Sequence, residues 1–148
     1  MLGCMNQAFQ ACLGHLADTG TGLGLGVFAS RGISAAEVVE VAPVICIRLD
    51  YDVLTPLLRQ RVFHWGRLAG HDKVHALALG YGSMYNHANP ANMQFAACQE
   101  GAAISFVAVR DIQAGEELTI NYNNVGGSHE SEEDSWFSQT GITPYLKP

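Results

Sequence analysis

Apolar and polar positions alternate in short, strand-like runs over most of this chain. From Leu23 onward, β-branched residues cluster in stretches such as 38–41, 44–47 and 104–107, which glycine, proline or charged residues interrupt. Short runs of this kind between turn-forming residues are typical of strands. The pattern predicts a mainly β protein that is built from many short strands.

Two segments have a different pattern. Between residues 1 and 14 the apolar positions follow helical spacing, which predicts either a short amphipathic helix or a disordered arm. Between residues 55 and 65, Pro56 suits a first helical turn and the apolar residues share one face, which predicts a helical or irregular insert. The apolar positions in the two segments are Leu2, Met5, Phe9 and Leu13, and then Leu57, Leu58, Val62 and Phe63.

The chain also contains a faint internal repeat. Residues 29–37 read Ala-x-Arg-x-Ile-x-Ala-Ala-Glu, and residues 108–116 read Ala-x-Arg-x-Ile-x-Ala-Gly-Glu. Each copy reads as a strand, a turn and a second strand. The repeat therefore predicts two similar hairpin-like units on a pseudo-symmetric all-β scaffold.

The composition is that of one compact domain. The chain has 148 residues, of which 48% are hydrophobic and 15% are charged, so it is long enough to bury a core. No apolar run approaches the roughly 20 residues that span a bilayer, and residues 1–10 lack the basic start of a secretion signal. We therefore expect a soluble, intracellular protein, cytoplasmic or nuclear in a host, with no membrane partner.

Charge and cysteine spacing exclude further classes. The net charge of −6 argues against direct nucleic acid binding and suits a basic peptide partner. Cys4, Cys12, Cys46 and Cys98 form no Cys-x-x-Cys pair, so we expect neither a zinc site nor a disulfide framework. Cys46 and Cys98 are interpreted as small buried hydrophobic residues.

Three motifs carry the candidate chemistry. The first is the glycine run that contains Gly24-Leu25-Gly26, where the missing side chains permit close approach of the backbone to a ligand. The second is Asn86-His87 in a loop that ends at Asn92. The third is the segment 117–122, Glu-Leu-Thr-Ile-Asn-Tyr, which delivers the phenol of Tyr122 at the end of a strand.

These motifs, in this order, resemble those of the SET-domain family, the protein lysine methyltransferases that use S-adenosylmethionine. The similarity is closest to the minimal SET proteins of viruses and bacteria. It implies a β-clip fold of several small curved sheets, with the C-terminal segment threaded under a loop in a knot-like crossing. We divide the chain into an N-terminal extension with a first strand at 1–22, a SET domain at 23–125, and a C-terminal loop and aromatic lid at 126–148.

The resemblance also implies roles for individual residues. Tyr122 corresponds to the active-site tyrosine and is the candidate catalytic residue, and no metal is required. The expected cofactor-binding residues are Gly24, Leu25, Gly26, Tyr85, Asn86, His87, Tyr122 and Trp136. The expected substrate-binding residues, which wall a lysine channel, are Tyr81, Tyr85 and Phe137.

The function implied is transfer of a methyl group from S-adenosylmethionine to a lysine of a protein such as a histone. Ala88, Asn89 and Pro90 depart from the family's loop pattern, and Arg61 stands where small SET proteins have an aromatic residue. Arg61 favours an alternative, a catalytically weak or dead SET-like module that binds a lysine-containing peptide. A third reading takes Gly24-x-Gly26-x-x-Ala29 as a dinucleotide fingerprint, which requires a following helix. A homodimer is left open.

Overall fold

The computed structural model describes residues 8–65, 74–98 and 102–122. Nine strands and one short α-helix are present in this part of the chain, together with a 3₁₀ turn at Tyr51–Val53. The strands are β1 (Gly14–Asp18), β2 (Leu25–Ala29), β3 (Val38–Ile47), β4 (Val62–His64), β5 (His75–Ala78), β6 (Asn86–His87), β7 (Met93–Cys98), β8 (Ala103–Ala108) and β9 (Thr119–Ile120), and the helix α1 is Pro56–Arg59. The predicted mainly β class is confirmed.

The strands form three sheets. The largest has five strands in the order β4-β5-β3-β8-β7, and each neighbouring pair in it is antiparallel. β1 pairs with β2 in an antiparallel sheet, and β6 pairs with β9 in a parallel one. The parallel pair is the one that joins the Asn-His loop to the C-terminal motif, whereas the knot-like threading beyond it stays a prediction.

The predicted pair of similar units is visible in the backbone. Ile33 and Ile112 lie opposite each other in an isolated bridge, and the amide of each donates to the carbonyl of the other at 2.8 Å. Equivalent residues of segments 29–37 and 108–116 make further backbone hydrogen bonds between the two units. The two units are therefore joined by matching pairs of backbone hydrogen bonds.

Each unit closes its turn with the same ion pair. Arg31 contacts Glu37 at 2.7 Å, and Arg110 contacts Glu116 at 2.9 Å. About half of each arginine side chain is exposed, so water weakens both pairs and their main effect is to set the shape of the turns.

The hydrophobic core lies on β8 and its neighbours. All six residues of β8 are buried, because the strand pairs on both edges and is covered on both faces. Phe106 is fully buried and its ring lies 4.7 Å from that of Tyr85 and 6.2 Å from that of Phe95. None of the helices in the described part of the chain is long and apolar enough to cross a membrane.

The two helical predictions have different outcomes: the N-terminal helix is wrong where the structure describes it, and the insert at 55–65 is helical in part. Residues 1–7 lie outside the described part, and Gln10 pairs with Val41 in a bridge instead of continuing a helix. In the segment 55–65, Pro56–Arg59 is helical with Pro56 in its first turn, as predicted, whereas Val62 and Phe63 belong to strand β4. Sequence periodicity could not detect this, because the strand forms only through its partner β5.

The interpretation of two cysteines also needs correction. Cys46 is exposed and free, and it lies near the end of β3, where the neighbouring Ile45 is exposed as well. Cys98 is buried as expected but is part of a disulfide bond, whose partner lies outside the described residues.

We expect Phe106→Ala to lower the free energy of unfolding by about 3–5 kcal/mol, because it leaves a cavity at the centre of the core. Chemical denaturation measures the loss. Leu57→Ala is the control, since that side chain is 75% exposed and its removal should change stability by no more than about 0.5 kcal/mol. Equal losses in the two variants would contradict the placement of the core on β8.

Candidate active site

The Asn-His segment and the C-terminal motif lie side by side. In the parallel pair of β6 and β9, Asn86 is opposite Thr119 and His87 is opposite Ile120. Asn92 closes the loop between them: its amide nitrogen donates to the Glu117 carbonyl at 2.8 Å, and its oxygen accepts from the Thr119 amide at 2.9 Å. Two segments that are distant in sequence therefore form one surface.

The glycine run meets the same surface. The side-chain nitrogen of Asn86 donates to the carbonyl of Leu25 at 3.1 Å, between Gly24 and Gly26. A Cβ atom on Gly26 would lie 2.5 Å from Oε1 of Glu117 and 3.2 Å from the Asn86 amide nitrogen. A side chain at position 26 would displace the Glu117 carboxylate that Asn86 contacts, so the three motifs converge on Asn86.

The dinucleotide reading of the glycine run is wrong. Gly26 lies within β2, which pairs antiparallel with β1 in a hairpin. After Ala29 the chain forms the turn of the first unit and then β3, with no helix between β2 and β3. The helix that must follow a dinucleotide fingerprint is therefore absent from residues 30–37.

Asn86 presents an acceptor to the site. Its amide nitrogen donates to Glu117 Oε1 at 2.7 Å as well as to Leu25, so both amide hydrogens are used. The side-chain oxygen of Asn86 is left as an acceptor beside the Glu117 carboxylate. Two oxygen groups of this kind suit a positively charged donor.

Tyr122 is held in a fixed orientation. Its hydroxyl donates to the Tyr85 carbonyl at 2.7 Å, and its backbone amide donates to Nδ1 of His87 at 3.1 Å. The rings of His87 and Tyr122 meet edge to face at 5.3 Å. Tyr122 is thus anchored at the backbone, the ring and the hydroxyl.

The phenol of Tyr122 is neutral at physiological pH. Burial raises its pKa to about 12, a rise that the positive charge of Arg61 opposes and the negative charge of Glu117 reinforces. Because the hydroxyl hydrogen is donated to the Tyr85 carbonyl, the Tyr122 oxygen can act toward another group only as a hydrogen-bond acceptor.

The side chain of Tyr85 lies in the core, and its backbone carbonyl faces Tyr122. Its side chain is 1% exposed and packs in the core, where the hydroxyl donates to the carboxylate of Glu40. The Tyr85 carbonyl accepts the Tyr122 hydroxyl, and the predicted place of the ring in the wall of a lysine channel stays a prediction. Tyr81 is half-buried against the core, and its role toward a substrate stays a prediction.

Three predicted features are left as predictions. Trp136 and Phe137, with the lid segment 126–148, lie outside the described residues. His87 is 7% exposed and its ring packs against that of Tyr122. Its expected place beside the adenine stays a prediction. Within residues 8–65, 74–98 and 102–122, no group of three or more His, Cys, Asp or Glu side chains is placed to hold a metal ion.

Two further residues belong to the surroundings of the site. Arg61, noted in the sequence only as a departure, donates from its guanidinium to the Ser83 carbonyl at 3.2 Å. Glu40 was missed altogether. The sequence does contain a signal, since Glu40 is an acid inside the otherwise apolar run 38–41. In a strand, however, a single acid of this kind is usually expected to face solvent.

Comparison with known proteins gives a consistent result. The model of the SET domain family matches residues 24–123. The chain is 32% identical over 124 residues to a histone-lysine N-methyltransferase of Schizosaccharomyces pombe described as H3 lysine-37 specific, and the match covers 82% of this chain and 78% of the relative.

Solved structures share the fold. A Plasmodium falciparum protein assigned as a candidate histone methyltransferase aligns with a TM-score of 0.60 at 24% identity, over 76% of this chain and 95% of that one. A Polycomb Repressive Complex 2 structure from Chaetomium thermophilum, in an autoinhibited conformation bound to S-adenosylmethionine, aligns with a TM-score of 0.60 at 23% identity. That match covers 79% of this chain and 16% of the other.

We expect Gly26→Ala to lower the free energy of unfolding by about 1–3 kcal/mol, because its methyl group would collide with Glu117 and crowd Thr19 and Asn86. Gly32→Ala is the matched control, since its Cβ would meet only a carbonyl oxygen at 4.0 Å. Denaturant titration of both variants compares them. A harmless Gly26→Ala would show that the crowded contact is absent in solution.

Proposed function

The chain belongs to the SET-domain family, and we propose that it is a protein-lysine N-methyltransferase. It transfers a methyl group from S-adenosylmethionine to a lysine side chain of a protein such as a histone. The observation that carries the proposal is Tyr122, whose neutral hydroxyl is fixed on the Tyr85 carbonyl at 2.7 Å, next to Asn86 in the chain.

The residues around Asn86 fit S-adenosylmethionine, which is the methyl donor of SET-domain methyltransferases. Gly26 leaves room for the Glu117 carboxylate beside Asn86, because a side chain at this position would displace it. The Asn86 oxygen and the Glu117 carboxylate suit the ammonium group at the polar end of the cofactor. When bound, the cofactor supplies a methyl group on a positively charged sulfur.

Gly24, Leu25 and the backbone around Tyr85 and His87 complete the proposed cofactor surface. Gly24 has a φ of +87°, a backbone conformation that glycine adopts without strain. Trp136 is proposed to cover the cofactor, and Phe137 and Tyr81 to contact the lysine. These three contacts follow from the family resemblance rather than from distances.

Tyr122 is proposed to receive the amine. A lysine must lose a proton before it can attack, because an ammonium has no lone pair, and its ordinary pKa is about 10.4. The Tyr122 oxygen can accept a hydrogen bond from the neutral amine and fix its direction, since its own hydrogen is held by Tyr85. Orientation of this kind is a large source of rate enhancement.

Arg61 assists by its charge. Its positive charge is close enough to lower the pKa of Tyr122, so the same field acts on an amine beside that hydroxyl. A nearby positive charge disfavours the ammonium form of lysine and lowers its pKa. The proton then leaves to solvent, and no protein base is needed.

The alternative is a SET-like module that binds a lysine-containing peptide without transferring a methyl group. Arg61 in place of an aromatic residue is the feature that favours it. Cofactor binding without methylated product on a histone H3 peptide that contains lysine 37, or on protein from a host lysate, would support this version.

The proposed partner is a basic, lysine-containing segment such as a histone tail, which suits the net charge of −6. A histone substrate would place the activity in a nucleus. The target lysine, the degree of methylation and a homodimer are open to experiment.

We expect Tyr122→Phe to lower the single-turnover rate by roughly a hundredfold or more, because it removes the group that orients the amine. Cofactor affinity should stay within about a factor of three, and stability should fall by at most about 0.5–1.5 kcal/mol, the contribution of one hydrogen bond. Methyl transfer to the lysine-37 peptide and calorimetric titration of the cofactor give the two values. Equal rates would remove Tyr122 from the reaction.

The pH profile tests the role of Arg61. Removing a positive charge raises the pKa of a nearby amine, so Arg61→Met should move the rising limb of the rate profile to higher pH. At neutral pH the rate should fall on the order of three- to tenfold, since one pKa unit changes the neutral fraction about tenfold. Tyr122 itself, with a pKa of about 12, should not titrate on this limb.

Arg48→Met is the control for that experiment. Arg48 is exposed after β3, and its replacement removes one charge of the same sign. Its pH profile should coincide with that of the wild type. A shared shift in both variants would attribute the effect to net charge instead of to the position of Arg61.

A further inference from the structure

Glu40 is a buried acid on the central strand of the large sheet. It is 2% exposed, and each of its carboxylate oxygens accepts one hydrogen bond. Oε1 accepts from the Tyr81 amide at 2.9 Å, and Oε2 accepts from the hydroxyl of Tyr85. Burial raises the pKa of Glu40, and these two donors oppose that rise.

Glu40 follows an irregularity in β3. Val38 is opposite Val107 and Glu40 is opposite Phe106, so Val39 is an extra residue in the pairing with β8. Such a bulge changes the direction of the side chains that follow it. The residues from Val39 to Ala42 are all buried, because β3 is covered on both faces at this point.

Two glycines make room for the carboxylate and for the turn above it. Gly80 has a φ of +60°, and a Cβ there would lie 2.5 Å from Oε1 of Glu40. A Cβ on Gly82 would lie 2.6 Å from that of Ala78, so the turn 81–85 packs directly on the sheet. The turn therefore sits against Glu40 with no intervening side chain.

The turn 81–85 leads to the active-site phenol. Glu40 holds its first residue through the Tyr81 amide and its last through the Tyr85 hydroxyl. The ring of Tyr85 is fixed against Phe106, and its carbonyl accepts the hydroxyl of Tyr122 at 2.7 Å. A continuous series of contacts thus joins the buried acid to the group that receives the amine.

We propose that Glu40 is a positioning residue for Tyr122, which acts by holding both ends of the turn 81–85 and so fixes the carbonyl that orients the Tyr122 hydroxyl. This inference rests on the proposed methyl transfer. A buried carboxylate is costly unless its hydrogen bonds are made, and both of these bonds go to the turn. Glu40 contacts Tyr85 at its hydroxyl and not at the carbonyl that accepts from Tyr122.

The test uses Tyr85→Phe, which keeps the ring and removes the hydroxyl that binds Glu40. We expect the single-turnover rate on the lysine-37 peptide to fall on the order of ten- to a hundredfold, as for a small displacement of a reacting group. Affinity for S-adenosylmethionine should stay within about twofold, since the contacts of Asn86 are untouched.

A double-mutant cycle separates positioning from a general structural effect. If Tyr85 acts through the Tyr122 hydroxyl, Tyr85→Phe should cost little further rate once Tyr122→Phe is present. Val39→Ala is the matched control, a fully buried neighbour on the same strand, and it should lower thermal stability while leaving the rate unchanged at a temperature where both proteins are folded.

Variants of Glu40 give an independent comparison if Tyr85→Phe does not fold. Glu40→Gln retains an acceptor for the Tyr81 amide, so it should keep more of the rate than Glu40→Leu. A wild-type rate in Tyr85→Phe, or costs that add fully in the cycle, would overturn this inference while leaving the proposed function intact. A wild type that transfers no methyl group would instead overturn the proposed function and this inference with it.

Discussion

The buried amide of Asn92 is the contact on which the site depends. It is 2% exposed, and it bonds to the backbone of Glu117 and Thr119 on the strand that leads to Tyr122. The parallel pair that holds Asn86 has only two residues on each strand and is too short to be stable alone. Because a buried polar group that loses its partner is costly, the Asn92 bonds favour one register between the two motifs.

Two opposite charges act on Tyr122. Glu117 lies beside Asn86 and attracts positive charge, whereas Arg61 is held at Ser83 and repels it. Tyr122 keeps its proton because burial and the charge of Glu117 together outweigh the charge of Arg61, which leaves the pKa at about 12. The arrangement suits a reaction in which a cationic cofactor must be bound while the attacking amine must be uncharged. In the proposed reaction, Glu117 beside Asn86 would meet the first requirement, and the positive charge of Arg61 near Tyr122 would meet the second.

The sequence predicted the residues whose role depends on local motifs, and it failed where distant contacts decide. Gly26 and Asn86 were identified because their spacing reflects backbone demands, and the structure brings them together. Val62 belongs to a strand that forms only by pairing with β5, which the local periodicity does not reveal. The core position of the Tyr85 ring and the burial of Glu40 depend on contacts between segments that are distant in sequence, which no local pattern encodes.

The internal repeat explains how an all-β scaffold of this size positions the glycine run. The backbone hydrogen bonds between Ile33 and Ile112 align the end of β2 with the segment after the second turn. In that alignment Phe28 is opposite Glu117, and the Leu118 amide donates to the Val27 carbonyl at 2.7 Å. The segment before the first unit therefore supplies the glycine run, and the segment after the second unit supplies Glu117 and Tyr122. A symmetric backbone contact thus produces an asymmetric site, because the two units carry different residues beyond their shared turns.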